Sequence, residues 1–166
     1  MTLPAEYDIA YRALLDGLAS DETWDRWLGD HRNTWAGTAI SSVLVLSGTA
    51  APRYVEPWSD APTDTFGAHV FTDNLLVLVE IGAPVDDDRK VSALGVPLTV
   101  ESLEVTASIT PWDNSLRRTP PWPGNVSAIV RIAGRESITI PGRPITTTEQ
   151  RESAERLIAH LAARLR

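Results

Sequence analysis

Between residues 103 and 109 the chain alternates without a break. Leu103, Val105, Ala107 and Ile109 are apolar, and Glu104, Thr106 and Ser108 between them are polar. Successive side chains of a strand point to opposite faces, so this pattern demands a sheet with one dry and one wet face. Val126, Ala128, Val130 and Ile132 repeat it, and Gly134-Arg135 offers a turn into Ile138-Thr139-Ile140. Upstream, "FGAHVFTDNLLVLVEIG" places two apolar runs around Thr72-Asp73-Asn74. Asp and Asn tolerate turn angles, which predicts a hairpin with strands near 66–72 and 75–82. Val96, Leu98 and Val100 continue the strand pattern. Thr38 to Ser47, rich in β-branched and aliphatic residues and bounded by Gly37 and Gly48, reads as the first strand. The segment after it, with three Pro and several acids, reads as a long loop, and "APVDDDRK" as a charged loop.

Helical spacing is confined to the two ends. Tyr7, Ala10, Tyr11, Leu14, Leu15 and Leu18 recur at helical intervals after Pro4, which suits a first turn. Ser20 is the expected cap of a second short helix, with Asp21 and Glu22 in its first turn. Trp24, Trp27 and Leu28 share one face of that helix and are expected to pack onto the main body. At the C-terminus, Thr146 and Glu149 form a predicted capping box. Ala154, Leu157, Ile158, Leu161 and Leu165 then make one apolar stripe, and Glu152 can pair with Arg156. Such a stripe has to be buried, so this helix is expected to dock on the sheet.

About seven strands followed by one amphipathic helix is the order of a pleckstrin-homology-like (PH-like) barrel. "HVFTDNLLVLVEI" resembles the strand–Thr-Asp–strand hairpin of bacterial PH-like and GRAM-type domains, and "GVPLTVESLEVTAS" resembles the segment that follows it. The resemblance spans residues 37–165. Asn74 and Leu75 stand where those domains carry a basic residue after the Thr-Asp turn. The resemblance implies a non-catalytic scaffold that binds lipids, peptides or proteins. Phosphoinositide sites in such folds resemble a Lys/Arg cluster in the first hairpin loop. Residues 48–65 offer only Arg53 against Glu56, Asp60 and Asp64, so phosphoinositide binding is disfavoured.

Composition narrows the function classes. The net charge of −7 disfavours generic binding to nucleic acid or to an anionic membrane. Residues 1–109 carry 17 acidic and 6 basic side chains, and residues 110–166 carry 5 and 9, balances of −11 and +4. No cysteine is present, which removes disulfides and thiolate chemistry. The charged first twenty residues are unlike a signal or transit peptide. The apolar run Val43-Leu44-Val45-Leu46 is far short of the ~20 residues of a membrane helix. A soluble cytoplasmic protein is expected. A single Lys against fourteen Arg is the usage of a high-GC genome, such as an actinobacterium or one of its phages.

No residue pattern carries a reaction. His31, His69 and His160 lack a second ligand at metal-site spacing, and three adjacent Asp do not make a calcium loop. Glu80 is the one carboxylate worth checking for burial, with a surface position expected. Nucleotide-binding and seryl-hydrolase motifs are absent. The aromatic residues say more. Trp58, Trp112 and Trp122 each follow a Pro, and "TPWDNSLRRTPPWPGN" adds Arg117 and Arg118. Two roles fit: plugs that seal the sheet, or an exposed recognition cluster, since Trp and Arg are enriched at binding hot spots.

The expectation is therefore an α+β protein. It has a strongly curved antiparallel sheet or PH-like barrel, a C-terminal amphipathic helix packed on it, and two short N-terminal helices. The domains are expected as a helical extension over 1–33 and a β domain over 37–166. The expected function is that of a small non-enzymatic adaptor contacting another protein through Trp58, Trp112, Arg117, Arg118 and Trp122, with no cofactor, metal or nucleic acid. The alternatives are a phage-encoded host-interaction factor or toxin-immunity inhibitor, and a small-molecule pocket inside the barrel. Homo-oligomerisation is left open.

Overall fold

The computed structural model describes residues 4–29, 34–85, 88–108, 125–145 and 147–165. After a 3-10 turn, Ala5–Tyr7, come helices α1 (Asp8–Ala19), α2 (Glu22–Leu28) and α3 (Thr34–Ser47). Strands β1 (Tyr54–Asp60), β2 (Thr65–Phe71), β3 (Leu75–Val85) and β4 (Asp88–Pro97) form an antiparallel sheet in that order. Strands β5 (Val100–Ser108), β6 (Asn125–Ile132) and β7 (Ser137–Ile140) form a second antiparallel sheet, followed by helix α4 (Thr148–Ala162). The chain divides into two compact units, Met1–Leu98 and Thr99–Arg166. The architecture is thus α+β, with seven strands among the described residues. They lie in sheets of four and three whose ladders do not join among the described residues.

In the first unit, α1, α2 and α3 share one core with the four-stranded sheet. Val55, Phe66, Ala68, Val70, Val77, Val79 and Ile81 line the sheet's helix-facing side. Trp24, 1% exposed, lies at its centre. Its ring meets Phe66 and Trp35 edge-on, and its Nε1 donates to the Gly67 carbonyl at 3.0 Å. Helix α1 approaches β1 closely because Gly17 presents no side chain: a Cβ there would lie 2.6 Å from Val55. The space among Leu14, Trp24, Val43 and Val70 leaves no room for a water-sized molecule.

Helix α3 corrects the sequence reading, which expected a strand over Thr38–Ser47 and two N-terminal helices. Trp35, Ala36, Ala39, Ile40, Val43 and Leu44 are buried, a period of four that only a helix supplies. The β-branched residues raised the strand signal, but tertiary packing overrides such propensities. The hydroxyls of Thr38, Ser42 and Ser47 bond back to the carbonyls of Thr34, Thr38 and Val43, so the polar residues are satisfied within the helix.

Residues 48–65 are likewise not one loop, because β1 occupies 54–60. Pro57 is accommodated because β1 is the sheet's edge, where one N–H is not needed by the ladder. The expected charged loop at 83–90 gives way to strand on both sides of residues 86 and 87. Arg89 anchors this end. Its guanidinium, 9% exposed, pairs with the Asp64 carboxylate at 2.9 Å and donates to the Asp64 and Gly82 carbonyls. It also lies over the rings of Trp27 and Phe66. The β2–β3 hairpin matches expectation. The Thr72 hydroxyl accepts from Leu75 N at 3.0 Å across Asp73-Asn74, and Arg53 pairs with Asp73.

In the second unit, α4 packs on β5 and β6 through Ala154, Leu157, Ile158 and Leu161, as expected. Arg156 pairs with Glu152 at 3.7 Å, also as expected. Two caps shift by one residue. Asp21, not Ser20, accepts from Thr23 N and Trp24 N at the start of α2, and Ser20 bonds back to Gly17. Thr147 caps α4 by accepting from Gln150 N, and Thr146 lies outside the described residues. Alternation on β6 holds, with Ala128, Val130 and Ile132 buried. On β5 the expected dry face is not buried: Leu103 is half-buried, Val105 is 50% exposed and Ala107 exposed, and Ile109 lies outside the described residues. Leu165 is also partly exposed, not part of the buried stripe.

Candidate functional site

The site is built on the face of the four-stranded sheet that turns away from α1–α3. Alternation puts Tyr54, Glu56, Trp58 and Asp60 of β1 on this face. Glu56 stands opposite His69, and Trp58 opposite Gly67. Gly67 in turn stands opposite Glu80 of β3. The row Trp58–Gly67–Glu80 therefore crosses three strands with no side chain in the middle. The Trp58 ring fills that gap: a Cβ on Gly67 would meet its Cζ2 at 2.6 Å. Trp58 stays half-buried, while Asp60 and Glu80 beside it are exposed. An aromatic face flanked by two exposed carboxylates attracts a cationic side chain by ring quadrupole and by charge.

Over β1 to β3 the rest of this face is largely buried, with Phe71 and Leu76 fully covered and Glu56 and His69 among its polar members. Glu56, 3% exposed, accepts a hydrogen bond from Tyr54 Oη at 2.6 Å. His69 stacks obliquely on Trp58, with ring centroids 6.5 Å apart and planes tilted by 33°. Its Nδ1 is buried and has no hydrogen-bond partner among the described residues. Burial holds the His69 pKa below its ordinary value. A depressed histidine pKa makes the unfolded chain the stronger proton binder once the pH falls below about 6.5. The stability tied to His69 is complete above that pH and is lost as the pH falls toward the folded-state value. We expect the melting temperature of the wild type to fall more steeply between pH 7 and pH 5 than that of His69→Gln, which does not titrate there. Parallel slopes would show that the imidazole is not held neutral by the fold.

Of the five sequence-derived site residues, the structure places Trp58 alone. Trp112, Arg117, Arg118 and Trp122 lie outside the described residues. Tyr54, Glu56, His69 and Gly67 were not foreseen as neighbours of Trp58, because the segment holding three of the strand's residues read as loop. The period-2 run Tyr54, Glu56, Trp58 was the available signal, masked by Pro57. Glu80 is exposed, as expected. Among the described residues no three His, Asp or Glu gather as a metal site would require. No helix among them is long and apolar enough to cross a membrane. Comparison with protein-family models, curated proteins and solved structures returned no match.

Proposed function

We propose that this chain is a small, non-enzymatic, cytoplasmic binding protein, PH-like in the order of its strands and C-terminal helix, that acts by holding a basic segment of another protein. The observation that carries the reading is the Trp58–Gly67–Glu80 row with Asp60 beside it. A partly exposed indole at the rim of this sheet face, with the exposed carboxylates of Asp60 and Glu80 on the same face, suits an Arg or Lys side chain. The surrounding charge supports this: residues 1–98 hold 15 acidic and 6 basic side chains, a balance of −9. Such a field speeds encounter with a basic partner and weakens as salt is raised.

The test is affinity capture from a high-GC bacterial host, with Trp58→Ala, Glu80→Gln, Trp112→Ala and Arg117→Ala as comparisons. A stoichiometric protein should be retained by the wild type, released by added salt, and bound at least tenfold more weakly by Trp58→Ala, as expected for a hot-spot aromatic residue. Glu80→Gln should weaken capture less. If all four variants retain the same proteins as the wild type, the reading fails.

A further inference from the structure

The sheet face that carries Trp58 holds two further surfaces, one on each side of Glu80. Val77 and Val79 of β3 and Val91 and Ala93 of β4 pack against the helical core. Alternation therefore turns Leu78 and Glu80, and Lys90, Ser92 and Leu94, to the opposite face. Leu94 stands opposite Leu78, and Ser92 opposite Glu80. Ser92 is small and leaves the exposed Glu80 carboxylate open toward β4.

These residues differ in chemistry at each step. Leu94 is 47% exposed and Leu78 half-buried, so an apolar step borders the Trp58–Gly67–Glu80 row on one side. Lys90 is exposed and borders it on the other. Two residues of strand separate each step from the next, about 7 Å. Along β4 the surface thus runs from apolar at Leu94, through acidic and aromatic at Glu80 and Trp58, to basic at Lys90.

We infer that this face takes an extended segment of another protein whose side chains follow the complementary order: a large apolar residue, Arg or Lys two positions away, and Asp or Glu two positions further. This ordering builds on the proposed capture of a basic segment and specifies what flanks the basic residue. An extended segment lying along the strands repeats its side chains at the same two-residue step, so three of its residues meet the three surfaces in register. The cation lies against the Trp58 ring and the Glu80 carboxylate. The apolar residue covers Leu78 and Leu94 and removes them from water. Lys90 decides the third position. A second basic residue there is repelled from about 7 Å, inside the Debye length of about 8 Å at physiological salt, and a carboxylate is attracted. Asp60 is on β1, three strands or about 14 Å from β4, too far to reverse that preference. A run of consecutive basic residues, the obvious ligand of an acidic protein, is therefore the wrong ligand for this face. The order holds for either chain direction, because the basic residue is in the middle.

Fluorescence anisotropy with labelled Gly/Ser peptides tests the order. A probe containing Leu-Ser-Arg-Ser-Glu should bind at least about fivefold more tightly than one containing Arg-Ser-Leu-Ser-Glu, which has the same composition with the cation displaced. Lys90→Glu should reverse the preference at the third position and bind Leu-Ser-Arg-Ser-Lys more tightly than Leu-Ser-Arg-Ser-Glu. Leu94→Ser should bind the Leu probe no better than a probe with Ser in that place. Lys90 and Leu94 are exposed, so both variants should melt with the wild type. Equal affinity for the two orders, an unchanged preference in Lys90→Glu, or tighter binding when the same residues are spaced for a helix would overturn the inference. The basic-segment reading survives each of those results if replacing Arg by Ser in the probe still weakens binding. Probes that bind no better than their Arg-free counterparts would remove both.

Discussion

Replacing Gly67 by alanine should destabilise the protein by about 3 kcal/mol or more, a large share of the roughly 5–15 kcal/mol of a folded domain. The reason is crowding on both sides of one α-carbon. A Cβ at this position would sit 2.0 Å from the Val79 carbonyl oxygen and 2.6 Å from Trp58. The first neighbour is backbone of the adjoining strand and cannot rotate away, so the β2–β3 ladder has to open. The Gly67 carbonyl also accepts the Trp24 indole N–H in the core, so any shift of this strand loosens both faces of the sheet. Gly82→Ala is the control. A Cβ there meets nothing nearer than the Lys90 carbonyl at 3.7 Å, an ordinary contact. Thermal melts should show Gly67→Ala far below the wild type and Gly82→Ala close to it. Equal melting temperatures for the two variants would refute the packing argument and the placement of Trp58 over Gly67.

Trp24→Ala should cost about 3–5 kcal/mol, the range for removing a buried aromatic side chain. The melting temperature should fall on the order of 10 °C. Trp24 joins α2 to α3 by its edge-on contact with Trp35, and to the sheet by its contact with Phe66 and its bond to Gly67. Trp24→Phe separates these contributions. It keeps much of the apolar contact but leaves a buried carbonyl without its donor, which costs about 1–3 kcal/mol. The order wild type, Phe, Ala in stability is therefore expected, with the Phe variant between the other two. A Phe variant as stable as the wild type would show that the indole N–H contributes nothing. Because Trp24 and Gly67 share a hydrogen bond, their substitutions should not add when combined.

Both effects arise at residues whose neighbours come from distant parts of the chain, and this is where sequence reasoning stopped. Trp24 was recognisable as a packing residue from its spacing with Trp27 and Leu28, because helix periodicity is local. That its indole bonds to Gly67 was not recognisable, since 43 residues intervene. Trp58 was marked by its Pro-Trp context but assigned to a loop. The edge position that tolerates Pro57 is a property of strand order, and strand order is not written in any single segment.

The described residues hold seven strands, as many as expected, but with different members. A β-strand was expected where α3 lies, and a loop was expected where β1 lies. Short apolar runs fit either period, and the deciding fact for α3 was which of its residues had something to pack against.

Local pattern by itself determined the elements whose signals repeat every two or four residues or sit in a turn: α1, the β2–β3 hairpin, β5 through β7 and the amphipathic α4. It also determined the charge balance and the lack of cysteine. The tertiary structure alone decided that α3 is a helix, that β1 and β4 are the edges of one sheet, and that Trp58 lies over Gly67 beside Glu80. Those features depend on contacts between segments far apart in the chain, and such contacts exist only after the chain has closed around its core.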